Sequence, residues 1–396
     1  MVPPESPPGR RWLILGIGLL GLIAGCAAQY GLAYLIPAMR AEGASLEAAS
    51  LLVTAPIAGV LVALIAWGAA ADRWGERIVL VSGLALAGGA ELGAAAISAP
   101  LPRWLLLFAV GAASAAIHAA SGRLILGWFG VRERGLAMGI RQAGLPLGLA
   151  LAAVALPPLA GDGIAPPLVA LGTACLVTAA LIGIVVRDPV RPAAAANGIT
   201  GSPYREPFLW RIHLASALLV VPQITIAVYA FDYLVNALGW SIAAAGMLLA
   251  VTQLAGAGSR LVAGWWSDRA GSRLGPMRTV ALAIGLVLSL VAGLALAGIT
   301  AVVVALALAA VVTVMPNGLA YTAVAERAGS GWAGRALGIQ NTFQNLGGAL
   351  VPVPVALLVT AGGGDALGYG LAFAAVTAFP FIAAIVIPVA HEAAVA

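Results

Sequence analysis

The sequence predicts an all-α integral membrane protein with twelve transmembrane helices in two pseudosymmetric six-helix bundles. Three observations predict this fold. The composition is 62% hydrophobic and only 9% charged, with a mean hydropathy of +1.04. Twelve apolar runs are each long enough to cross a bilayer core of about 30 Å. A loop motif recurs in the two halves of the chain.

The composition excludes several classes of protein. A soluble domain is about one-quarter charged, and a disordered chain combines high charge with low hydrophobicity. The net charge of +5 comes from scattered arginines, so no basic patch predicts a nucleic-acid partner. Cys26 and Cys175 lie in apolar runs and indicate neither a disulfide framework nor a metal site. We therefore expect no metal and no cofactor, a lipid bilayer and a small molecule as partners, and a monomer.

The apolar runs divide the chain into five segments. These are a tail (1–11), a first bundle (12–186), a polar linker (187–209), a second bundle (210–389) and a short tail (390–396). The first run is longer than the 7–15 residues of a signal-peptide core, so it is predicted to span the membrane. The runs lie at 12–37, 47–71, 78–99, 104–127, 135–160, 166–186, 210–236, 241–264, 277–298, 301–324, 334–360 and 367–389.

Arginine placement predicts the orientation in the membrane. The tails, the even-numbered gaps between runs and the first residues of the runs that follow those gaps hold fifteen arginines, whereas the odd-numbered gaps hold only Arg40 and Arg103. Basic loops stay in the cytoplasm, so both termini and the linker are predicted to be cytoplasmic, in a plasma membrane such as the bacterial inner membrane. The fifteen are Arg10, Arg11, Arg73, Arg77, Arg132, Arg134, Arg187, Arg191, Arg205, Arg211, Arg269, Arg273, Arg278, Arg327 and Arg335.

A ten-residue motif recurs between helices 2 and 3 and between helices 8 and 9. Its shared residues are Gly68, Asp72, Arg73, Gly75 and Arg77 in the first copy and Gly264, Asp268, Arg269, Gly271 and Arg273 in the second, at an offset of 196. A second pair of segments, 135–141 and 334–340, recurs at an offset of 199. These repeats indicate two six-helix halves related by a parallel repeat, as in large transporters.

The motif resembles the signature loop of the major facilitator superfamily. This resemblance implies secondary active transport of a small solute by alternating access, with helices 1, 4, 7 and 10 lining the cavity. It also implies that the two loops form a cytoplasmic gate. We expect Asp72 to face the start of helix 11 near Gly334, and Asp268 to face that of helix 5 near Gly135. Helix N-termini attract carboxylates by about 0.3–1 kcal/mol.

Arg141 is the leading candidate for substrate binding. It lies six residues into helix 5, at the repeat position of Gln340, and helix 5 contains no acidic residue to pair with it. A guanidinium fork suits a carboxylate or a similar oxyanion. The structural alternative is a pair with carbonyls of the other half. Arg123 and Arg260 lie near helix ends and are expected to snorkel into water.

Three other ionisable residues are candidates for coupling transport to protons. His118 lies midway along helix 4 and also belongs to the expected substrate site; Asp232 lies near the outer end of helix 7, and Glu91 is central in helix 3. Charged groups within a membrane are costly and usually functional. The structural alternatives are a hydrogen-bonded packing histidine for His118, a solvated rim carboxylate for Asp232 and a buried neutral carboxyl for Glu91.

Uncharged polar side chains complete the expected substrate site. They lie on helices 1, 10 and 11, which the family resemblance places in or beside the cavity. The residues are Gln29, Tyr30, Asn317, Tyr321, Gln340, Asn341 and Gln344.

Together these residues predict a proton-linked transporter of a small organic or inorganic anion. The segment RGLAMGIRQAGLPLG at helix 5 resembles anion-handling branches of the superfamily, such as cyanate- and oxalate-type permeases. The alternative is a drug:proton antiporter, whose helix 5 carries a paired glycine that Gly144-Leu-Pro146-Leu-Gly148 lacks.

An enzyme or a channel is a remote alternative. His118, His213 and His391 are far apart in sequence and lack metal-ligand spacing. The duplicated loop is typical of alternating-access proteins. We therefore expect a transporter without catalytic residues.

Overall fold

The computed structural model describes residues 8–129, 137, 140–141, 143–188, 202–328 and 333–391. Within these residues it contains twelve long helices, which we name α1 to α12 in chain order. None of these residues forms a strand. The helices are α1 (Pro8–Tyr30), α2 (Leu46–Trp74), α3 (Glu76–Ala96), α4 (Pro100–Trp128), α5 (Gly144–Leu159), α6 (Ala165–Val185), α7 (Pro207–Asp232), α8 (Ile242–Ala270), α9 (Leu274–Leu296), α10 (Val302–Val312 and Pro316–Ala328), α11 (Ala333–Leu350 and Pro352–Ala361) and α12 (Ala366–Val376 and Ala378–Val386).

The helices have the length and composition that a bilayer requires. Twelve helical spans of the described residues, from 19 to 32 residues long, are apolar enough to cross a membrane, where about 20 residues are needed. The second segments of α10 and α11 begin at Pro316 and Pro352, because proline lacks an N–H and suits the first turn of a helix. The predicted fold class is confirmed.

The chain divides into two compact units. The first unit contains residues 1–42 and 55–194, and the second contains residues 43–54 and 195–396. The first turns of α2 therefore belong to the second unit, whereas the rest of that helix belongs to the first. The five-segment division of the sequence remains a prediction.

Helices α1, α3, α4 and α6 form the core of the first unit. Their buried apolar side chains include Cys26, Leu84, Ile117 and Ile182. Alanine and glycine occur throughout this core, and small residues let helix backbones approach closely where lipid supplies no hydrophobic driving force between helices. The positions of the polar side chains described below depend on this close packing.

The crossing of α2 and α4 depends on Gly111. A Cβ atom at this position would overlap the carbonyl oxygen of Pro56 and lie 2.6 Å from the Pro56 Cα. We expect Gly111→Ala to force α2 and α4 apart and to lower the free energy of unfolding by about 1–3 kcal/mol. Thermal unfolding in detergent measures this effect. Gly89→Ala on α3 is the matched control, because no atom lies within 4 Å of its added Cβ; equal melting temperatures of the two variants would contradict the prediction.

Aromatic side chains fill the space between α7 and α12 in the second unit. Tyr233, which follows α7, packs on Tyr369 and Phe373 of α12 with ring centroids 5.2 and 5.5 Å away. Tyr229 donates a hydrogen bond to the Pro352 carbonyl of α11, and its hydroxyl lies 2.7 Å from that of Ser50. These bonds join the first turns of α2 to α7 and α11.

Candidate functional site

A chain of hydrogen bonds joins α1 to α4 in the first unit. His118 Nε2 lies 2.8 Å from Gln29 Oε1, and Gln29 Nε2 donates to the Ser114 hydroxyl at 2.8 Å. Because the Gln29 amide nitrogen faces Ser114, its oxygen accepts from His118, and Nε2 carries the proton of the neutral ring. A second proton would therefore bind at Nδ1. Tyr30, the next residue on α1, packs half-buried against the core of this unit.

Arg141 lies beside this chain. Its Nε donates to the Ser121 hydroxyl at 2.9 Å, and a terminal nitrogen lies 3.5 Å from the backbone carbonyl of His118. Ser114, His118 and Ser121 share one face of α4, as their spacing predicts. The structure thus brings Arg141, His118 and Gln29 together within the first unit.

A small cavity of about 10 Å³ lies next to Arg141. Arg141 and Ser121 form its polar wall, and the remaining wall is apolar and includes Leu124, Trp128 and Phe129. A cavity of this volume has room for about one water molecule.

Polar side chains of α10 and α11 lie together in the second unit. The Tyr321 hydroxyl donates to Asn341 Oδ1 and lies 3.1 Å from Gln344 Oε1. One turn earlier on α10, Asn317 donates to Gln223 of α7 at 3.1 Å. Gln344 Nε2 is buried and has no hydrogen-bond partner among the residues that the structure describes. This amide is a donor available to a ligand.

Arg260 of α8 lies near the same cluster, whereas its position near a helix end predicted that it would snorkel into water. Its Nε atom is buried without a hydrogen-bond partner in the described part of the chain, and its guanidinium is within electrostatic reach of Tyr321. Arg260 precedes Asp268 by eight residues, about 12 Å along a helix. This depth within the helix could have identified Arg260 as a candidate site residue.

Gln340 does not join Asn341 and Gln344, with which the sequence analysis grouped it. It is fully buried, and its Oε1 lies 2.5 Å from Nδ1 of His213 on α7. His213 Nε2 lies 2.9 Å from the Tyr204 hydroxyl, just before α7. Burial raises the pKa of Tyr204 above its ordinary value, so its phenol stays protonated at neutral pH and donates to Nε2. His213 then donates from Nδ1 to Gln340.

Asp232 is fully buried, which contradicts its structural alternative as a solvated rim carboxylate. Asn236 donates to one carboxylate oxygen at 2.5 Å, and Tyr369 of α12 donates to the other. A carboxylate that accepts two such bonds is stabilised inside the protein.

Glu91 lies fully buried between α3 and α6, and neither carboxyl oxygen has a hydrogen-bond partner among the described residues. A Cβ atom added at Gly172 of α6 would lie 3.0 Å from the Cβ of Glu91. A buried carboxylate without donors is costly, so the neutral acid fits this position. No group of three or more His, Cys, Asp or Glu side chains that could hold a metal occurs in the described part of the chain.

The first copy of the repeated motif forms the turn between α2 and α3. Gly75 has a φ of 92°, a backbone conformation that favours glycine. The Arg77 backbone N–H donates to Asp188 Oδ1 at 2.7 Å, and its guanidinium donates to the Gly183 carbonyl of α6. The loop thereby binds the residues that follow α6. The side chain of Asp72, and hence its expected approach to α11, lies outside the described residues.

The second copy ends α8, where Gly271 adopts a φ of 60°. Arg273 pairs with Glu326 of α10 at 3.0 Å and with Asp268 of its own loop. The hydrogen bonds to Glu326 and Asp268 raise the pKa of the Arg273 guanidinium. Asp268 is therefore bound within its own unit. Gly135, which it was expected to face, lies outside the described residues.

The other motif positions have fewer contacts. Gly68 and Gly264 have no atom within 4 Å of an added Cβ. Arg73 is exposed and lies over the ring of its neighbour Trp74 at 5.7 Å, and Arg269 lies over Trp265 at 4.0 Å. Sequence reasoning did not identify the partners of the motif, Asp188 and Glu326, since neither belongs to the repeat.

The chain matches known proteins along most of its length. The sequence model of the Major Facilitator Superfamily matches residues 18–352. Two uncharacterized MFS-type transporters, from Mycobacterium tuberculosis strains H37Rv and CDC 1551, are each 39% identical over 385 residues, which cover 96% of this chain and 85% of the relative.

Solved structures share the fold at low sequence identity. A bacterial homolog of the human lysosomal transporter Spinster superposes with a TM-score of 0.82 and 15% identity over 98% of both chains. A D-xylose-proton symporter superposes with a TM-score of 0.76 and 14% identity, covering 96% of this chain and 97% of its own. The duplicated loop, the twelve spans and the match over residues 18–352 lead to one conclusion: the chain belongs to the major facilitator superfamily and is a multi-pass MFS-type transporter of a small molecule.

Proposed function

We propose that this transporter moves a small organic or inorganic anion by alternating access, coupled to protons. The observation that carries the proposal is Arg141, whose guanidinium lies in a pocket wall and is oriented by Ser121 and the His118 carbonyl. Arg141 is helical, lies three residues before α5 and is partly buried, and an arginine buried in a membrane protein is costly unless it is paired. A charge-assisted bond to a bound anion offsets this cost.

Arg260 supports the same substrate charge from the second unit. Its buried Nε and the buried amide nitrogen of Gln344 both lack hydrogen-bond partners among the described residues. Both atoms are donors only, and donors without acceptors suit a ligand rich in oxygen lone pairs. Tyr321, Asn341 and Asn317 complete a polar surface beside them.

His118 is the proposed proton carrier. Its neutral ring already donates from Nε2 to Gln29, so the free position for a proton is Nδ1. Like charges repel, and the Arg141 guanidinium lies next to the His118 backbone. An anion bound to Arg141 compensates that charge and makes protonation of His118 less costly. Substrate and proton binding then favour each other, as linkage requires.

The proposed setting is the plasma membrane, with a monomer whose termini and linker are cytoplasmic. The arginine bias of the loops supports this orientation. The repeated loops that contain Asp72 and Asp268 form the cytoplasmic gate in this proposal. The bonds of Arg77 to Asp188 and of Arg273 to Glu326 support a mechanical role, since each joins a loop to another helix or its end.

Transport in proteoliposomes tests the proposal. The purified protein is assayed for uptake and counterflow of radiolabelled cyanate, oxalate and benzoate, and of the lipophilic cation tetraphenylphosphonium, under several imposed pH gradients. We expect at least one anion to accumulate, and its accumulation to follow the pH gradient. Transport of the lipophilic cation alone would contradict the proposal and favour a drug:proton antiporter. Anion transport that is unaffected by pH gradients would contradict the coupling.

A further inference from the structure

Five polar side chains of α7, α10 and α11 form a cluster in the second unit, which we name the polar cluster. Asn317 and Tyr321 are four residues apart on α10, and Asn341 and Gln344 are three residues apart on α11, so each pair shares a helix face. Gln223 of α7 joins them by accepting a bond from Asn317 at 3.1 Å. All five residues are half-buried, so each keeps surface that a ligand can reach.

The hydrogen bonds within the polar cluster use only one end of each amide. Asn317 donates to Gln223 Oε1, and neither Asn317 Oδ1 nor Gln223 Nε2 has a hydrogen-bond partner among the described residues. The Tyr321 hydroxyl contacts the amide oxygens of Asn341 and Gln344, and the two amide nitrogens lack partners in the described part of the chain. The cluster therefore offers a ligand one acceptor and several donors.

Arg260 of α8 adds a positive charge to this surface. It is half-buried and within electrostatic reach of Tyr321, and its buried Nε has no hydrogen-bond partner among the residues that the structure describes. The neighbouring Ser259 hydroxyl donates to the Val311 carbonyl of α10 at 3.2 Å. This bond holds α8 against α10 at the position of Arg260.

The mixture of donors and acceptors decides which ligand fits. A simple inorganic anion supplies only acceptors, so it could pair with Arg260 and Gln344 Nε2 but would be repelled by the carbonyl oxygen of Asn317. A hydroxyl group both donates and accepts, so it complements Asn317 Oδ1 and Gln223 Nε2 together. An apolar group would leave these amides unsatisfied, which is costly. A ligand with an acidic group and a hydroxyl group satisfies both parts of the surface.

We propose that the substrate is a small hydroxylated organic anion, whose acidic group binds Arg260 and Gln344 and whose hydroxyl groups bind Asn317 and Gln223. This inference rests on the proposed anion transport and narrows its substrate class. The site belongs to the second unit, and Arg141 keeps its proposed role in the first. Each bound hydroxyl should strengthen binding by about two- to tenfold.

Pairs of sulfonates that differ only in hydroxyl groups test the proposal. Sulfonates remain ionised, so they do not cross the bilayer as neutral acids. Ethanesulfonate is compared with isethionate, its hydroxylated form, and propanesulfonate with dihydroxypropanesulfonate. They compete in counterflow with labelled isethionate, cyanate, oxalate or benzoate, whichever the wild-type protein exchanges fastest. We expect the half-inhibitory concentration of isethionate to be about two- to tenfold below that of ethanesulfonate. Equal competition within both pairs, or none, would overturn the inference.

Substitutions in the second unit locate the effect. Asn317→Leu should make isethionate and ethanesulfonate compete equally, with ethanesulfonate as effective as before, and Gln223→Leu repeats this test if the first variant fails to fold. Arg260→Gln should weaken both competitors alike, by about tenfold. Thr342→Val is the matched control on α11, because the Thr342 hydroxyl bonds the Gly338 carbonyl of its own helix at 3.1 Å; it should change neither competitor.

The outcomes separate this inference from the function on which it rests. If the wild-type protein exchanges no anion, the proposed function is wrong. If anions are exchanged without a preference for hydroxylated sulfonates, or if that preference persists in both Asn317→Leu and Gln223→Leu, only the assignment of the polar cluster is wrong.

Discussion

Arg141→Gln is expected to lower the apparent affinity for the transported anion by about ten- to hundredfold, with membrane insertion intact. A hydrogen bond to a charged group contributes about 1.5–3 kcal/mol, and each 1.4 kcal/mol is a factor of ten. We expect insertion to be unimpaired, because the substitution removes a guanidinium that is costly to bury in a membrane protein. Gln is also the residue at the repeat position, Gln340. Concentration-dependent counterflow in proteoliposomes measures the change.

Two further variants show whether the geometry or only the charge of Arg141 matters. Arg141→Lys keeps the positive charge but loses the planar fork, so it should bind the anion less tightly than wild type and more tightly than Arg141→Gln. Arg278→Gln removes an exposed arginine at the start of α9 and should leave affinity unchanged. Wild-type affinity in Arg141→Gln would exclude Arg141 from the substrate site.

His118→Gln is expected to separate transport from proton coupling. The glutamine amide can still donate to Gln29 but cannot bind a proton in the physiological range, so exchange of labelled anion should continue while accumulation driven by a pH gradient disappears. Counterflow and gradient-driven uptake are measured on the same vesicles. Each preparation thereby supplies its own control for protein amount and folding.

Two buried carboxyl groups, those of Asp232 and Glu91, define the alternative outcomes. Accumulation that survives in His118→Gln would exclude His118 as the proton carrier. Asp232→Asn is then the next test, since its carboxylate accepts bonds from Asn236 and Tyr369. Glu91→Gln follows, because Glu91 is buried without hydrogen-bond partners among the described residues. Loss of gradient-driven accumulation in only one of the three variants would identify the carrier.

The fold was predictable because the relevant signals are local along the chain. Each span needs only about 20 consecutive apolar residues, and a backbone in lipid must satisfy its hydrogen bonds within the helix. The breaks within helices also follow local signals, since the second segments of α10 and α11 begin at Pro316 and Pro352. The duplicated loop connected the two halves and led directly to the family.

The candidate site was predictable only in part. The stripe of Ser114, His118 and Ser121 on α4 follows from helical spacing, and Arg141 does lie beside it. Asn341 and Gln344 do meet Tyr321. The position of Arg260 within electrostatic reach of Tyr321 was missed because long arginines at helix ends usually extend into water.

The sequence by itself determined the membrane location, the twelve spans and the repeat, because the free energy of burying a span in lipid depends mainly on which residues it contains. Only the tertiary structure decided which polar groups share a network. Gln340 binds His213 rather than its sequence neighbours, and Arg273 binds Glu326 as well as Asp268. The physical reason is that the rotation of each helix about its own axis decides which side chains meet. Helices that are apolar on every face carry no periodic signal for the side that meets a given neighbour, so close packing of small residues sets that angle.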